Sequence, residues 1–133
     1  MSYDRNGRMT NMVDSVGTSK FTYTAWGALM SEDGPWADDT VSYSYTTNRL
    51  RSGLTLLQPN NSAWSQTYSY DIGGRLTGVT SPAGSFGYEY TNALVAGFPS
   101  SAGSLVKRVT LPYGGYIANA YDELGRMLST TLK

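Results

Sequence analysis

The chain predicts an all-β fold, a meandering antiparallel sheet built of successive β-hairpins. One observation is a recurring phrase: an aromatic–x–Tyr, often Asp next, then two residues and Gly-Arg before an aliphatic residue. A second is composition, with 11 Tyr, 3 Trp and 15 Gly and many Ser and Thr, residues that suit pleated strands and tight turns. A third is punctuation, because Gly and Pro recur between short alternating segments. The anchor tyrosines are Tyr3, Tyr23, Tyr45, Tyr70, Tyr90 and Tyr121, separated by 20, 22, 25, 20 and 31 residues. A spacing near that of one hairpin marks a repeat architecture.

The first element opens at Tyr3-Asp4, turns at Gly7-Arg8 and returns through Met9. Asp14-Ser15-Val16-Gly17 reads as the turn that closes this repeat. Phe21-Thr22-Tyr23-Thr24-Ala25-Trp26-Gly27-Ala28-Leu29 keeps the frame and loses the arginine. A polar loop from Glu32 to Thr40 carries Trp36. Tyr43-Ser44-Tyr45-Thr46-Thr47-Asn48-Arg49-Leu50 reads as a copy one residue shorter, with Asn48 for glycine.

The cleanest repeat starts at Tyr68-Ser69-Tyr70, whose alternation puts both rings on one strand face. Asp71-Ile72-Gly73-Gly74 then predicts a type I turn closed by a left-handed glycine, a common hairpin connection. Arg75-Leu76 starts the returning strand. Leu76 and Val79 break strict alternation there, which predicts a bulge. Ser81-Pro82-Ala83-Gly84 and Leu111-Pro112-Tyr113-Gly114 share a Pro-x-Gly turn form. Between them, 91–104 is an irregular insertion. Tyr121-Asp122-Glu123-Leu124-Gly125-Arg126-Met127 is the last copy, and helix competes as a reading of 118–128. Residues 1–133 thus form one array of about five to six repeats. A lone hairpin cannot bury its apolar face, so neighbours must continue the sheet, with tyrosines laddered on one side.

Composition also excludes chemistry. No His and no Cys are present, which removes Ser-His-Asp catalysis, thiol catalysis and thiolate or imidazole metal sites. No phosphate-binding glycine motif appears, and no cofactor is implied. With 10 basic and 10 acidic residues, the formal net charge of zero argues against nucleic acid. No apolar run reaches the roughly 18 residues of a membrane helix, and Met1-Ser2-Tyr3-Asp4 opens no secretory signal. Both ends cut through a repeat, which suggests a longer array.

The phrases Tyr3-Asp4/Gly7-Arg8, Tyr70-Asp71/Gly74-Arg75-Leu76 and Tyr121-Asp122/Gly125-Arg126 resemble the YD repeat, also called the Rhs repeat. The resemblance covers essentially the whole chain and is weakest at 43–50 and 91–115. It implies a hairpin strip wound into a hollow shell, as in bacterial Rhs and polymorphic toxins, toxin-complex C subunits and teneurins. In the bacterial shells the enclosed cargo is a C-terminal toxin domain. The implied role is a non-enzymatic scaffold in a secreted or surface-delivered protein. Its partners would be the rest of the shell and the domain it encloses.

On this reading the repeat motif residues are Tyr3, Asp4, Gly7, Arg8, Tyr23, Gly27, Tyr45, Arg49, Tyr70, Asp71, Gly74, Arg75, Tyr90, Tyr121, Asp122, Gly125 and Arg126. The aspartates suit turn positions. The arginines suit ion pairs or packing over tyrosine rings. The alternative is a module that binds surface glycans through Trp36 and Trp64, which lie near loops. A third reading, a glycosidase, would draw on Glu32, Asp33, Asp38, Asp39 or Glu89. Ser104 and Lys107 match a Ser-x-x-Lys spacing, but that chemistry needs a helix and companion motifs.

Overall fold

The structure, a computed structural model, describes residues 1–58, 62–91 and 103–133. The fold is all-β, with antiparallel strands that take chain order in the sheet. They are β1 (Ser2–Tyr3), β2 (Met9–Val13), β3 (Thr18–Tyr23), β4 (Leu29–Asp33), β5 (Val41–Tyr45) and β6 (Arg51–Leu57). The others are β7 (Ala63–Tyr70), β8 (Leu76–Ser81), β9 (Gly84–Tyr90), β10 (Val106–Thr110), β11 (Tyr116–Tyr121) and β12 (Met127–Leu132). Two compact units divide the chain, Met1–Thr67 and Tyr68–Lys133.

In the first unit three hairpins share one turn. Asp4, Thr24 and Thr46 each donate their N–H across the turn, to the carbonyls of Arg8, Ala28 and Leu50 at 2.8 Å. Their own carbonyls accept from the N–H of Gly7, Gly27 and Arg49 at 3.0 Å. The last three residues all lie at positive φ, of 76°, 98° and 63°. This corrects one sequence expectation: the copy at Tyr45 is not shortened, and Asn48 does not take the glycine position. Arg49 takes it, in a left-handed conformation that asparagine or glycine would adopt more easily, and Leu50 stands where the Asp4, Asp71 and Asp122 copies carry arginine.

The hairpins that open at Tyr3, Tyr23, Tyr45, Tyr90 and Tyr121 each skip a residue just after the turn. Tyr23 faces Leu29 while Thr22 faces Ser31, so Met30 has no partner across the ladder. The same shift leaves out Thr10 and Ser52 in the first unit, and Lys107 and Leu128 in the second.

One face of the first unit is a row of hydroxyls. Thr22, Ser31, Ser42, Thr55 and Ser65 stand directly opposite one another across β3 to β7. Thr22 and Ser31 hydrogen-bond at 2.5 Å, and Thr55 and Ser65 at 3.2 Å. The half-buried rings Tyr43 and Tyr45 alternate with exposed Ser42 and Ser44, as a two-residue period requires.

Turns at the other ends of the strands use proline as a stop. In the first unit a Cβ on Gly17 would meet the Pro35 ring at 2.5 Å. The second unit repeats the device: a Cβ on Gly84, at φ 118°, would meet Pro112 at 2.5 Å. Leu111 to Gly115 closes with a short 3-10 turn in which Tyr113 and Gly114 are both left-handed, at φ 69° and 94°. The competing helix over 118–128 does not form; β11 and β12 pair from Ile117↔Leu132 to Tyr121↔Met127. Val79 is the buried apolar side chain among the described residues, at 9% exposure. The core is therefore thin, and half-buried rings carry the packing. Of the insertion at 91–104, residues 92–102 lie outside the described residues.

Gly84→Ala adds a clash to backbone strain, whereas a Cβ on Gly114 meets nothing within 4 Å. Gly114→Ala should cost about 1–2 kcal/mol, from left-handed strain alone. Gly84→Ala should cost measurably more by urea denaturation, and equal losses would contradict the Pro112 stop.

Candidate functional site

The turn aspartate uses both carboxylate oxygens. Asp71 Oδ1 accepts the backbone N–H of Gly73 and of Arg75, both at 2.9 Å, while Oδ2 accepts Arg75 Nε at 2.6 Å. Asp4 binds Asn6, Arg8 and the Arg8 guanidinium in the same way, and Asp122 does so with Leu124 and Arg126. The two threonine copies keep half of this arrangement. Thr24 Oγ1 accepts Ala28 N at 3.0 Å and Thr46 Oγ1 accepts Leu50 N at 3.1 Å. A hydroxyl caps the turn backbone but holds no arginine.

Thus aimed, the arginine reaches the next repeat. The Arg8 guanidinium lies 4.7 Å from the centre of the Tyr23 ring, and Arg75 lies 4.8 Å from that of Tyr90. Arg8 Nη1 also donates to the Thr24 carbonyl at 3.2 Å, and Arg75 Nη1 donates to the Gly103 carbonyl. The phenol completes the clasp by turning back. Tyr23 Oη donates to Met9 O at 2.7 Å, Tyr45 to Leu29 O at 2.6 Å, Tyr90 to Leu76 O at 2.7 Å and Tyr121 to Val106 O at 2.9 Å. Each acceptor is the residue just after the arginine position of the preceding repeat. Sequence reasoning found the residues of this clasp but not its direction across repeats. The tyrosines expected to ladder ring upon ring instead alternate with guanidiniums at Tyr23 and Tyr90.

Trp26 is a further member of the clasp, which the repeat motif itself did not single out. Ala28 stands where arginine should, and Trp26 fills the gap. Its ring meets Tyr45 edge-on, with centroids 5.0 Å apart and planes at 84°. Arg49 then stacks on Trp26 at 5.5 Å. The visible signal was a tryptophan in a turn that has lost the arginine of the repeat. At Tyr121 no arginine precedes, and Asn119 Nδ2 donates to the same Val106 carbonyl at 3.0 Å.

The two proposed glycan contacts sit in different settings. Trp36 is 67% exposed in the β4–β5 loop, where Asp39 binds the N–H of Gly34 and of Trp36. Trp64 is half-buried within β7, opposite Leu56. Asp39 thus organises its loop, and Asp33 accepts the Thr40 hydroxyl at 2.6 Å. Glu32 faces Phe21 and Val41 across the ladder, and Glu89 faces Arg108. Among the described residues no cluster of three or more acidic side chains could hold a metal ion. No helix there is long and apolar enough to cross a membrane.

The clasp has a pH signature. The Asp4, Asp71 and Asp122 carboxyls are all held below their ordinary value of 3.8, first by the backbone N–H of Arg8, Arg75 and Arg126. Arg75 and Arg126 side-chain donation comes next in cause at the latter two. Carboxyls depressed by folding stabilise the folded state above pH 3.8, and that contribution fades as the pH falls through the lower folded values. Melting temperature should fall on acidification below 3.8, and Asp71→Asn should flatten that dependence; a wild-type profile in the variant would contradict it. A second expectation concerns the phenol. Tyr90→Phe should cost about 1 kcal/mol by chemical denaturation. Tyr3→Phe should cost almost nothing, because Tyr3 is 60% exposed and its hydroxyl meets only Met1 sulfur at 3.7 Å.

No family model matches the sequence. No curated protein matches it either. Among solved structures, the Photorhabdus luminescens Tc holotoxin pore superposes on 100% of this chain with a TM-score of 0.70 at 16% identity. The chain spans 8% of that neighbour's length. At that identity the likeness is one of fold: the hairpin meander seen here is the fold of a segment of a Tc toxin chain.

Proposed function

We propose that the chain is a non-enzymatic wall segment of an Rhs/YD-type β-shell that encloses or displays a toxin or effector domain in a secreted or surface-delivered protein. The observation that carries this reading is the clasp, in which turns such as those at Arg8 and Arg75 grip the hairpin that follows. Such a device makes a continuous wall and needs no ligand. The full-length likeness to part of a Tc holotoxin chain supports it. The partners on this reading are further repeats and the enclosed domain.

A second reading, a module for surface glycans, has one observation in its favour. Trp36 presents an exposed ring on a loop braced by Asp39. Stacking on sugar faces is a common use of such a ring.

One experiment on the protein encoded by the reading frame that carries this chain separates the two. Protease should spare the polypeptide downstream of the repeats, and the double variant Arg8→Ala/Arg75→Ala should speed its cleavage several-fold. No downstream domain, or equal cleavage with and without the clasps, would sink the shell reading. Saturable glycan binding lost in Trp36→Ala would favour the second reading instead.

A further inference from the structure

Two glycines face each other in the middle of the second unit. Gly78 on β8 stands directly opposite Gly87 on β9. Neither lies at positive φ, and their pairing shows no bulge. A Cβ on either would meet only ordinary contacts, with Phe86 O 3.6 Å from Gly78 and Thr110 Cβ 3.5 Å from Gly87. Backbone strain and crowding therefore require glycine at neither place. In the first unit Gly53 is also mid-strand, but a Cβ there would meet Ser44 Oγ at 2.7 Å. Glycine inside a strand weakens it, and it often marks a place where a ligand or another backbone comes close.

The bare strip has polar walls. Residues on one strand face recur about 6.7 Å apart, so Ser85 and Glu89 bound the Gly87 floor at a separation of about 13 Å. Thr80 and Ser85 form one wall, their hydroxyls 3.2 Å apart. Thr110 faces Gly87 from β10, and Tyr116 faces Thr110 from β11. Arg108, opposite Glu89 on β9, leans over the Tyr116 ring, 3.9 Å from its centre. The fold leaves these groups uncommitted. The ion pairs among the described residues belong to Arg8, Arg75 and Arg126. Arg108 Nε is buried with no hydrogen-bond partner. Thr110 Oγ1 and Tyr116 Oη make no hydrogen bond among the described residues, whereas the phenols of Tyr23, Tyr45, Tyr90 and Tyr121 are all bonded.

We infer that the Gly78–Gly87 trough is a binding site for an acidic saccharide, whose ring lies on the bare backbone with its carboxylate on Arg108. A guanidinium matches a carboxylate with two parallel donors. Thr110 and Tyr116 supply hydroxyls that can donate to, or accept from, those of the sugar. A neutral sugar would leave the Arg108 cation without an anion. An extended peptide is a poor occupant, because β8 and β9 are interior strands with a neighbour on each side. No further strand can be added to them, which is how sheets usually take up a peptide. The site is separate from Trp36 and rests neither on the shell reading nor on that ring.

The test is a titration of the 133-residue chain with trigalacturonic acid, followed by backbone NMR, beside neutral galactotriose and an acidic heptapeptide. Saturable shifts at 78–80, 85–89, 108–110 and 116 are expected with the acidic sugar. Arg108→Gln should weaken that binding about tenfold, the loss of roughly one charged hydrogen-bonded contact, and should leave the weaker binding of galactotriose unaltered. The double variant Gly78→Ala/Gly87→Ala should keep or raise the melting temperature yet lose saturable binding. Trp36→Ala should change nothing, which separates this site from one at that ring. No saturable binding of trigalacturonic acid, shifts elsewhere, or equal affinity in Arg108→Gln or in the alanine pair would overturn the proposal. An alanine pair that unfolds would show that the fold itself needs these glycines, and would overturn it too. Tighter binding of the heptapeptide than of either sugar would overturn the choice of ligand.

Discussion

The tyrosine hydroxyl that reaches back to the preceding hairpin is the bond on which the structure depends. A single hairpin has no interior, and this chain has almost none: Val79 is its buried apolar side chain among the described residues. Hydrophobic burial therefore cannot be the main source of order between repeats. Directional contacts take its place. Each phenol ties one strand to a carbonyl at the start of the strand just before it, and where arginine is present the guanidinium covers the ring. Because acceptor and donor lie in different repeats, stability accrues between neighbours, as in other quasi-one-dimensional repeat proteins.

The aspartate and the arginine have separable duties. Asp71 first satisfies two backbone donors and only then aims the side chain of Arg75. Thr24 and Thr46 show that the turn survives without the ion pair. Tyr45 still finds the Leu29 carbonyl with no arginine above it, and Trp26 covers its ring from the edge. Hence the phenol and the turn backbone are the minimum, while the cation is an addition that aromatic surface can replace.

Much of this was legible in the residues. Gly74 at φ 78° and the Asp71 turn follow directly from Asp-x-Gly-Gly, because local hydrogen bonding and positive φ leave few alternatives. The strand order also followed, since short turns can only join neighbours. Two matters were hidden. Arg49 in a left-handed turn position could not be told from a shortened repeat, because backbone conformation outranked residue preference there. The direction of the clasp was equally invisible: spacing puts Arg8 and Tyr23 in the same register of successive hairpins but does not say which side chain crosses. Of the candidate site, the residues were readable and their pairing was not.

At Thr91 the backbone N–H meets the Leu105 carbonyl at 2.8 Å, the same closure that Asp71 makes with Arg75. The strands on either side, β9 and β10, stay paired, with Tyr90 opposite Val106. Extra sequence is thus admitted at the hairpin tip while the frame on both flanks is conserved in register. Lengthening a loop adds entropy only logarithmically, about 0.6 kcal/mol per doubling. Such positions are tolerant ports, where new peptide can be spliced between paired strands without unravelling the sheet.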